Sequence, residues 1–526
     1  MPKVREGSII DLKYRIRSDF IMNLQPWRFQ HAYPVVWSEY KVGIPEYFNY
    51  KHSLLGYNPL KKNEITNESK RITIQSKNRE HGRNTTFDTD TWEYNVRYYN
   101  LVMSYVPAFY EEEYLTTPDN YLSIYQFELS SFQQRGTITN FTGNWEKINT
   151  LLLEEEEFGK SLGKKSYMED ALKVALQNLT GEKEKAAAIV EMVRSKIRWD
   201  KNNGLFAGNV RTAWMEGKGN SADINLNLIS ALRMAGLKAD PVVLSTRNHG
   251  ILNPAHPVIT DFNYVVARLV ADGDTLLADA TEPCLPIGML PVRCLNGKGR
   301  LVEKAGGKWV NLQPKPDTRH FATHTLKVKD DGTITGEITR SRTGYYALDF
   351  RKQLKEADSK GAFYKGKTNR YDGLAYTAIH ITNTDTLDQP VTETLSFTYT
   401  GLLDTESDML LISPLLFDAI TSNPFRMKER TYPVEFPYPF SETLVINWNL
   451  PDGYEVSQLP APAVVVLPNR GGKFTYNVAG NGNVITVTSI IQLSQTVFIS
   501  SEYSNIKDFF SNIIAKQGES IILKKL

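Results

Sequence analysis

Apolar and polar residues alternate with a period of two over residues 9–18, 28–42, 71–76, 92–102 and 121–131, with turn-prone polar stretches between them. That pattern predicts half-buried strands. The period then lengthens. Ala186, Ile189, Val190, Val193 and Ile197 form one stripe of a helix spanning about residues 181–198. Ile224, Leu228, Ile229, Leu232 and Ala235 form the stripe of a second, amphipathic helix that Gly236 closes. Three strand patterns follow, ADPVVLST, FNYVVARLV and DTLLADAT. Residues 313–317, Gln-Pro-Lys-Pro-Asp, read as a linker. Beyond them, Asp330-Asp331-Gly332 joins two strands as a hairpin, residues 345–356 read as a helix, and further strands fall at 375–382, 393–400, 443–450 and 484–494. A short amphipathic helix over 502–515 and a strand at 520–523 close the chain. The expected organisation is a β-rich, sandwich-like domain over residues 1–140, an α+β domain over 141–312, and a β-rich domain with a few helices over 313–526.

Composition narrows the partners. The 526 residues suit three or four domains, and the 27 tyrosines and 23 phenylalanines favour β-structure. With 61 basic and 59 acidic residues and no basic run, a nucleic-acid partner is not expected. No apolar run reaches the roughly 18 residues that cross a bilayer, so no transmembrane segment is expected. No charged and apolar leader precedes the first strand pattern, so the chain reads as starting inside a β domain, as a truncated chain would. Cys284 and Cys294 are too few for a zinc site and read as two inert small hydrophobes rather than a disulfide. His320 and His324 have ligand-like spacing, but Phe321 stands where a zinc protease carries its glutamate; no metal and no cofactor are expected. The aromatic band from Trp27 to Tyr50 is read as sandwich core, with a glycan-stacking surface as the alternative.

The candidate chemistry sits between Gly217 and Arg247. Gly217 and Gly219 lead into Asn220-Ser221-Ala222-Asp223 at the start of the second helix. Ser221 is a good helix cap there, and Asp223 offsets the dipole of the first turn. Downstream come Phe262-Asn263-Tyr264 at the head of a strand and Leu277-Ala278-Asp279-Ala280-Thr281 at the end of another. These elements resemble the Gly-x-Cys-Lys-Asp, Phe-Asn-His and Leu-Asp-x-Thr motifs of transglutaminase-like cysteine enzymes of the papain-like superfamily. The resemblance puts Ser221, Tyr264 and Asp279 at the positions of the Cys-His-Asp triad. It implies an α+β papain-like core between two β-rich domains, the layout of large proteins of the Gram-negative cell envelope, and so a periplasmic or cell-surface location.

The two changed residues matter chemically. A serine hydroxyl needs a positioned base, and a phenol of pKa about 10 is only about one part in a thousand ionised at pH 7. Loss of a triad nucleophile or base typically costs on the order of 10⁶ in kcat. The resemblance therefore implies a non-catalytic binding or scaffold protein whose cleft takes a peptide, protein or glycan, with Asn220, Asp223, Asn263, Arg247 and His249 as further cleft residues. The rival is a peptidase or acyl-transfer hydrolase in which a loop histidine, His249 or His256, activates Ser221.

Overall fold

The computed structural model describes residues 5–15, 24–78, 86–134, 137–140, 144–164, 166–255, 257–313, 317–403 and 407–526. The protein is multidomain and strongly β-rich. It forms two compact units, Met1–Tyr110 with Tyr121–Thr142, and Glu111–Asn120 with Gly143–Leu526.

In the first unit, Thr86–Val106 pairs antiparallel with both Val35–Pro45 and Lys62–Asn78. A second sheet is built on Ile124–Gln134, flanked by Trp27–Arg28, Phe48–Leu54 and Thr137–Asn140. Phe29, Tyr99, Leu101, Met103, Tyr125 and Phe127 fill the core. The aromatic band divides: Phe29 is buried, Trp27 stacks on Tyr40, and Tyr33 and Trp37 are exposed. The strand expected over residues 28–42 is interrupted between Arg28 and Val35, with Pro34, which has no amide proton to donate, at the resumption. The strand expected over 9–18 is absent from its described part. Residues 9–15 are unpaired, and Ile9, Leu12 and Tyr14 lie exposed. An alternating pattern makes a strand only where a neighbour supplies hydrogen bonds. Residues 16–18 lie outside the described residues.

The second unit holds two large sheets. The smaller is antiparallel, in the order Asp274–Ala278, Tyr264–Ala271, Lys238–Leu244, Lys298–Leu301, Trp309–Asn311. The larger has eight strands, from Leu374–Thr382 at one edge to Ala463–Val466 at the other. It is antiparallel except where Thr318–Val328 runs parallel to Phe440–Asn449. Helix Tyr503–Gln517 lays Ile506, Phe509, Phe510 and Ile513 into the core of that sheet.

Helix Ser221–Met234 lies beside the five-stranded sheet and is not amphipathic in use. Every residue from Ser221 to Leu232 is buried. The helices Glu182–Lys196 and Val210–Glu216 contribute to the same core cluster, so the helix has no solvent face. Its polar residues are tied down instead: Asn227 bonds the Val210 and Asp223 carbonyls, and Ser230 bonds the Leu226 carbonyl. Buried polar groups are tolerated only when paired in this way.

Candidate functional site

The start of helix Ser221–Met234 is set by glycines. Gly217, at φ +72°, ends the helix Val210–Glu216. At Gly219 a Cβ would come within 2.8 Å of the Asp223 side chain and 2.9 Å of Ala213, so only glycine fits. The cap is Asn220, not Ser221 as the sequence suggested. Its side chain accepts from the Asp223 amide at 2.9 Å, and Asp223 accepts from the Asn220 amide at 3.0 Å, a reciprocal capping box. Asp223 also accepts from the Asn209 amide, tying the two helix starts together.

Displaced from the capping role, Ser221 is the first helical residue and is fully buried. Its Oγ accepts from the Gly204 amide at 2.8 Å and donates to the Gly204 carbonyl at 3.3 Å. Its own amide donates to the Asn202 carbonyl. Trp199 bonds the same carbonyl, so the 199–204 loop is stitched onto the helix terminus.

One turn along, roughly 6 Å at 1.5 Å per residue, Asn225 reaches Asp279. Its amide donates to Asp279 Oδ2 at 2.8 Å and to the Val265 carbonyl, and its oxygen accepts from the Ala280 amide. Tyr264, at the head of its strand, donates to Asp279 Oδ2 at 2.9 Å. Thr281 gives both its amide and its hydroxyl to Asp279 Oδ1. Asp279 thus accepts four hydrogen bonds, two on each oxygen. Both hydroxyl protons point at the carboxylate, so the Tyr264 and Thr281 oxygens are free to accept, and Arg293 donates to both. The other arm of Arg293 meets Glu282 at 2.7 Å, and Lys352 pairs with the second Glu282 oxygen. The guanidinium lies 4.0 Å from the centroid of the Trp199 ring, a cation–π contact.

Burial, then the charge of Asp279, holds the Tyr264 phenol well above the ordinary tyrosine range. Burial opposes ionisation of Glu282, but Lys352 and Arg293 overcome it and keep the carboxyl below the usual range. A thiol is also present, though not at the helix terminus: Cys294 is fully buried, and burial raises it well above a normal thiol. Cys284 is raised by burial too, and both cysteines are free. Thiols whose ionisation is disfavoured in this way are poor nucleophiles.

The remaining sequence candidates brace loops. Asn263 exchanges two hydrogen bonds with Thr246. Arg247 donates to the Leu295 and Glu435 carbonyls. His249 meets Ser245 Oγ at 3.0 Å, not Ser221. The Ser245 hydroxyl donates to the Gly250 carbonyl, so the imidazole cannot take that proton. His256 lies outside the described residues. His324 faces Asp418 at 3.0 Å inside the large sheet, and among the described residues no three His, Cys, Asp or Glu side chains form a metal-binding group. The sequence reading missed Asn225, Glu282 and Arg293. Asn225 had a signal, an amide inside an apolar helix; Arg293 sits in the short 3-10 turn Val292–Cys294 after Pro291 and had none.

The chain superposes on the crystal structure of a protein from Parabacteroides distasonis ATCC 8503 described as a "putative protease", over 95% of this chain and 74% of that one, at TM-score 0.51 and 13% identity. What the two share is the fold. A Cytophaga hutchinsonii structure described as a "putative cysteine protease" matches over 55% of this chain and 88% of that one, with TM-score 0.18 and 11% identity, too low to carry argument. Residues 408–523 match the model of a Domain of Unknown Function, DUF3858. That span starts just before strand Met409–Ile412 and ends within strand Ile521–Lys525, so it takes in helix Tyr503–Gln517. No curated protein matches the chain. Among the described residues no helix is long and apolar enough to cross a membrane.

Proposed function

We propose that this protein is a transglutaminase-like binding or scaffold protein with a degenerate triad. Ser221, Tyr264 and Asp279 stand in it for cysteine, histidine and aspartate. In this reading residues 141–312 are the papain-like core and residues 1–140 and 313–526 its flanking β-rich domains. The observation that carries it is the hydrogen bonding of the two replaced groups. Ser221 Oγ is engaged on both sides by Gly204, and the Tyr264 phenol, which would have to accept a proton, donates one to Asp279. General-base catalysis needs a group poised to take the nucleophile's proton near the working pH, and a buried phenol held above its normal range is the reverse of that.

A peptide or glycan ligand would approach over Arg293 and Trp199, since Ser221, Tyr264 and Asp279 are 0–1% exposed. The rival hydrolase loses support from His249, whose contact is Ser245. A periplasmic or cell-surface location goes with this reading; a soluble cytoplasmic pool after fractionation of the source cells would refute it.

The functional test assays peptide and ester substrates at pH 6–9 with wild type and Ser221→Ala in parallel. Equal, background-level rates are expected. A wild-type rate well above background that Ser221→Ala abolishes would defeat the proposal.

A further inference from the structure

Strand Phe440–Asn449 turns one row of side chains inward: Phe440, Glu442, Leu444, Ile446 and Trp448. Four of the five are apolar, as a core row should be. The fifth is a carboxylate. It faces a cavity of about 830 Å³, a size ordinary for small-molecule sites. Tyr346, Phe436, Tyr438, Phe440 and Tyr114 form its walls. Tyr438 is backed by Tyr345, stacked at 4.2 Å, and Tyr114 by Phe436 at 4.1 Å. Tyr114 has φ +58°, a left-handed backbone that costs a bulky residue roughly 1–2 kcal/mol. Strain of that kind persists where the surroundings enforce it, and here it belongs to a wall of the cavity.

Among the described residues Glu442 has no counter-ion, and its one hydrogen bond comes from the Tyr346 hydroxyl. Burial, with a contribution from Asp418, raises its carboxyl above the usual range despite that bond. His320, its registered neighbour on the adjoining strand, does not supply the charge. Burial, then Arg342 and Arg340, push the imidazole down to about 4, so it is neutral at ordinary pH. The rim adds exposed Glu111 and Glu113. Arg426 on the rim is exposed and makes no ion pair with any of these carboxylates. The cavity therefore presents aromatic rings, an uncompensated carboxyl at its floor and negative charge at its mouth.

We propose that this cavity binds an organic monocation, a primary ammonium or guanidinium on an apolar stem. The charge pairs with Glu442 and the stem packs against Tyr114, Phe436 and Tyr438. Aromatic faces and a carboxylate recognise such cations together, one through the ring quadrupole and the other through a charge-assisted hydrogen bond. The site shares no residue with the Ser221–Tyr264–Asp279 cluster and does not depend on that cluster being inactive.

The test is calorimetric titration of the full chain with phenethylamine and its neutral counterpart 2-phenylethanol. The amine should bind at least about tenfold more tightly, and Glu442→Gln should remove at least about tenfold of its affinity while leaving the alcohol unchanged. Nα-acetyl-lysine methylamide and n-pentylamine, titrated next, distinguish a peptide lysine from a free alkylamine as the source of the ammonium. Equal binding of amine and alcohol, no binding of any amine, or full amine affinity in folded Glu442→Gln would each overturn the proposal. If Glu442→Gln does not fold, the doubly substituted rim, Glu111→Gln with Glu113→Gln, decides. Both side chains are exposed, so the fold is safe, and an unchanged amine affinity there would also overturn it.

Discussion

Asp279 is buried and Glu442 half-buried in the same compact unit, and their surroundings are opposite. Asp279 accepts four hydrogen bonds, from Tyr264, Asn225 and twice from Thr281, with Arg293 bonded to the hydroxyls that reach it. Glu442 accepts one, from Tyr346, and borders a cavity. The first carboxylate has exchanged its water for protein donors and leaves nothing for a ligand to satisfy. The second is half-buried, with its remaining acceptor sites turned to the cavity. Desolvated charge without a partner is costly, so the site resembling a catalytic centre is closed, and the site with unused recognition capacity lies elsewhere.

The comparison breaks most sharply at Asp279. Asp279→Ala strands the Tyr264 hydroxyl, the Asn225 amide and the Thr281 groups, and leaves Arg293 near no carboxylate but Glu282. Removing one partner of a buried charged network typically costs about 3–5 kcal/mol. Guanidinium unfolding followed by tryptophan fluorescence should show a loss of that size. A loss below about 1 kcal/mol would mean that Asp279 is not the organising group. Tyr264→Phe, removing one donor and one acceptor, should cost less, about 1–3 kcal/mol.

Acid unfolding sharpens the comparison with a third group of carboxylates. Within the large sheet, Glu393 contacts Arg340 and Arg342, and Asp418 contacts Arg340 and His324. Burial works against ionisation of Glu393, but Arg342, Arg340 and Lys367 prevail and hold it at about 2. Asp418 is likewise depressed, Arg340 and His324 outweighing burial. A depressed carboxyl stabilises the fold fully above its unfolded value, near 4.3 for glutamate, and loses that stabilisation as pH falls through its folded value. Stability should therefore hold between pH 7 and about 5 and fall steeply between about 4 and 2. Glu393→Gln should flatten that fall. A variant with an unchanged acid limb would show that the cluster is not what acid disrupts.

The legible part of the molecule was the part governed by local rules. The helix start at Ser221, the left-handed Gly236 at its end and the Asp330-Asp331-Gly332 hairpin all follow from caps and turn residues. The Tyr264–Asp279 pairing was legible only through motif spacing. What the neighbours decide was not legible. The stripe on the Ser221 helix predicted a solvent face, because its period cannot report that other helices cover the opposite side. Asn220 took the cap because Ser221 is held by the 202–204 loop, a contact far from obvious in sequence. Arg293 reaches Tyr264 from a short 3-10 turn 29 residues away. Glu442 escaped notice for a simpler reason. The alternating pattern stands out only from residue 443, whereas the strand begins at Phe440, and only with that start does a carboxylate fall in the inward row.

The smallest expected effect is the most discriminating. Glu442→Gln keeps an acceptor for the Tyr346 hydroxyl and nearly the same volume, so unfolding free energy at pH 7 should stay within about 1 kcal/mol of wild type. The sign is also fixed. A carboxyl raised on folding contributes stability that is complete below its unfolded value and is lost as pH rises through its folded value. Glutamine cannot ionise, so the substitution should remove that loss. Relative to wild type, the variant should therefore gain stability on going from pH 4 to pH 7, the opposite trend to Glu393→Gln. Urea midpoints across that range measure it. If Glu442→Gln instead destabilised as heavily as Asp279→Ala, Glu442 would be holding the fold together through partners of its own. The contrast between a saturated and an unsatisfied carboxylate would then fail at its second member.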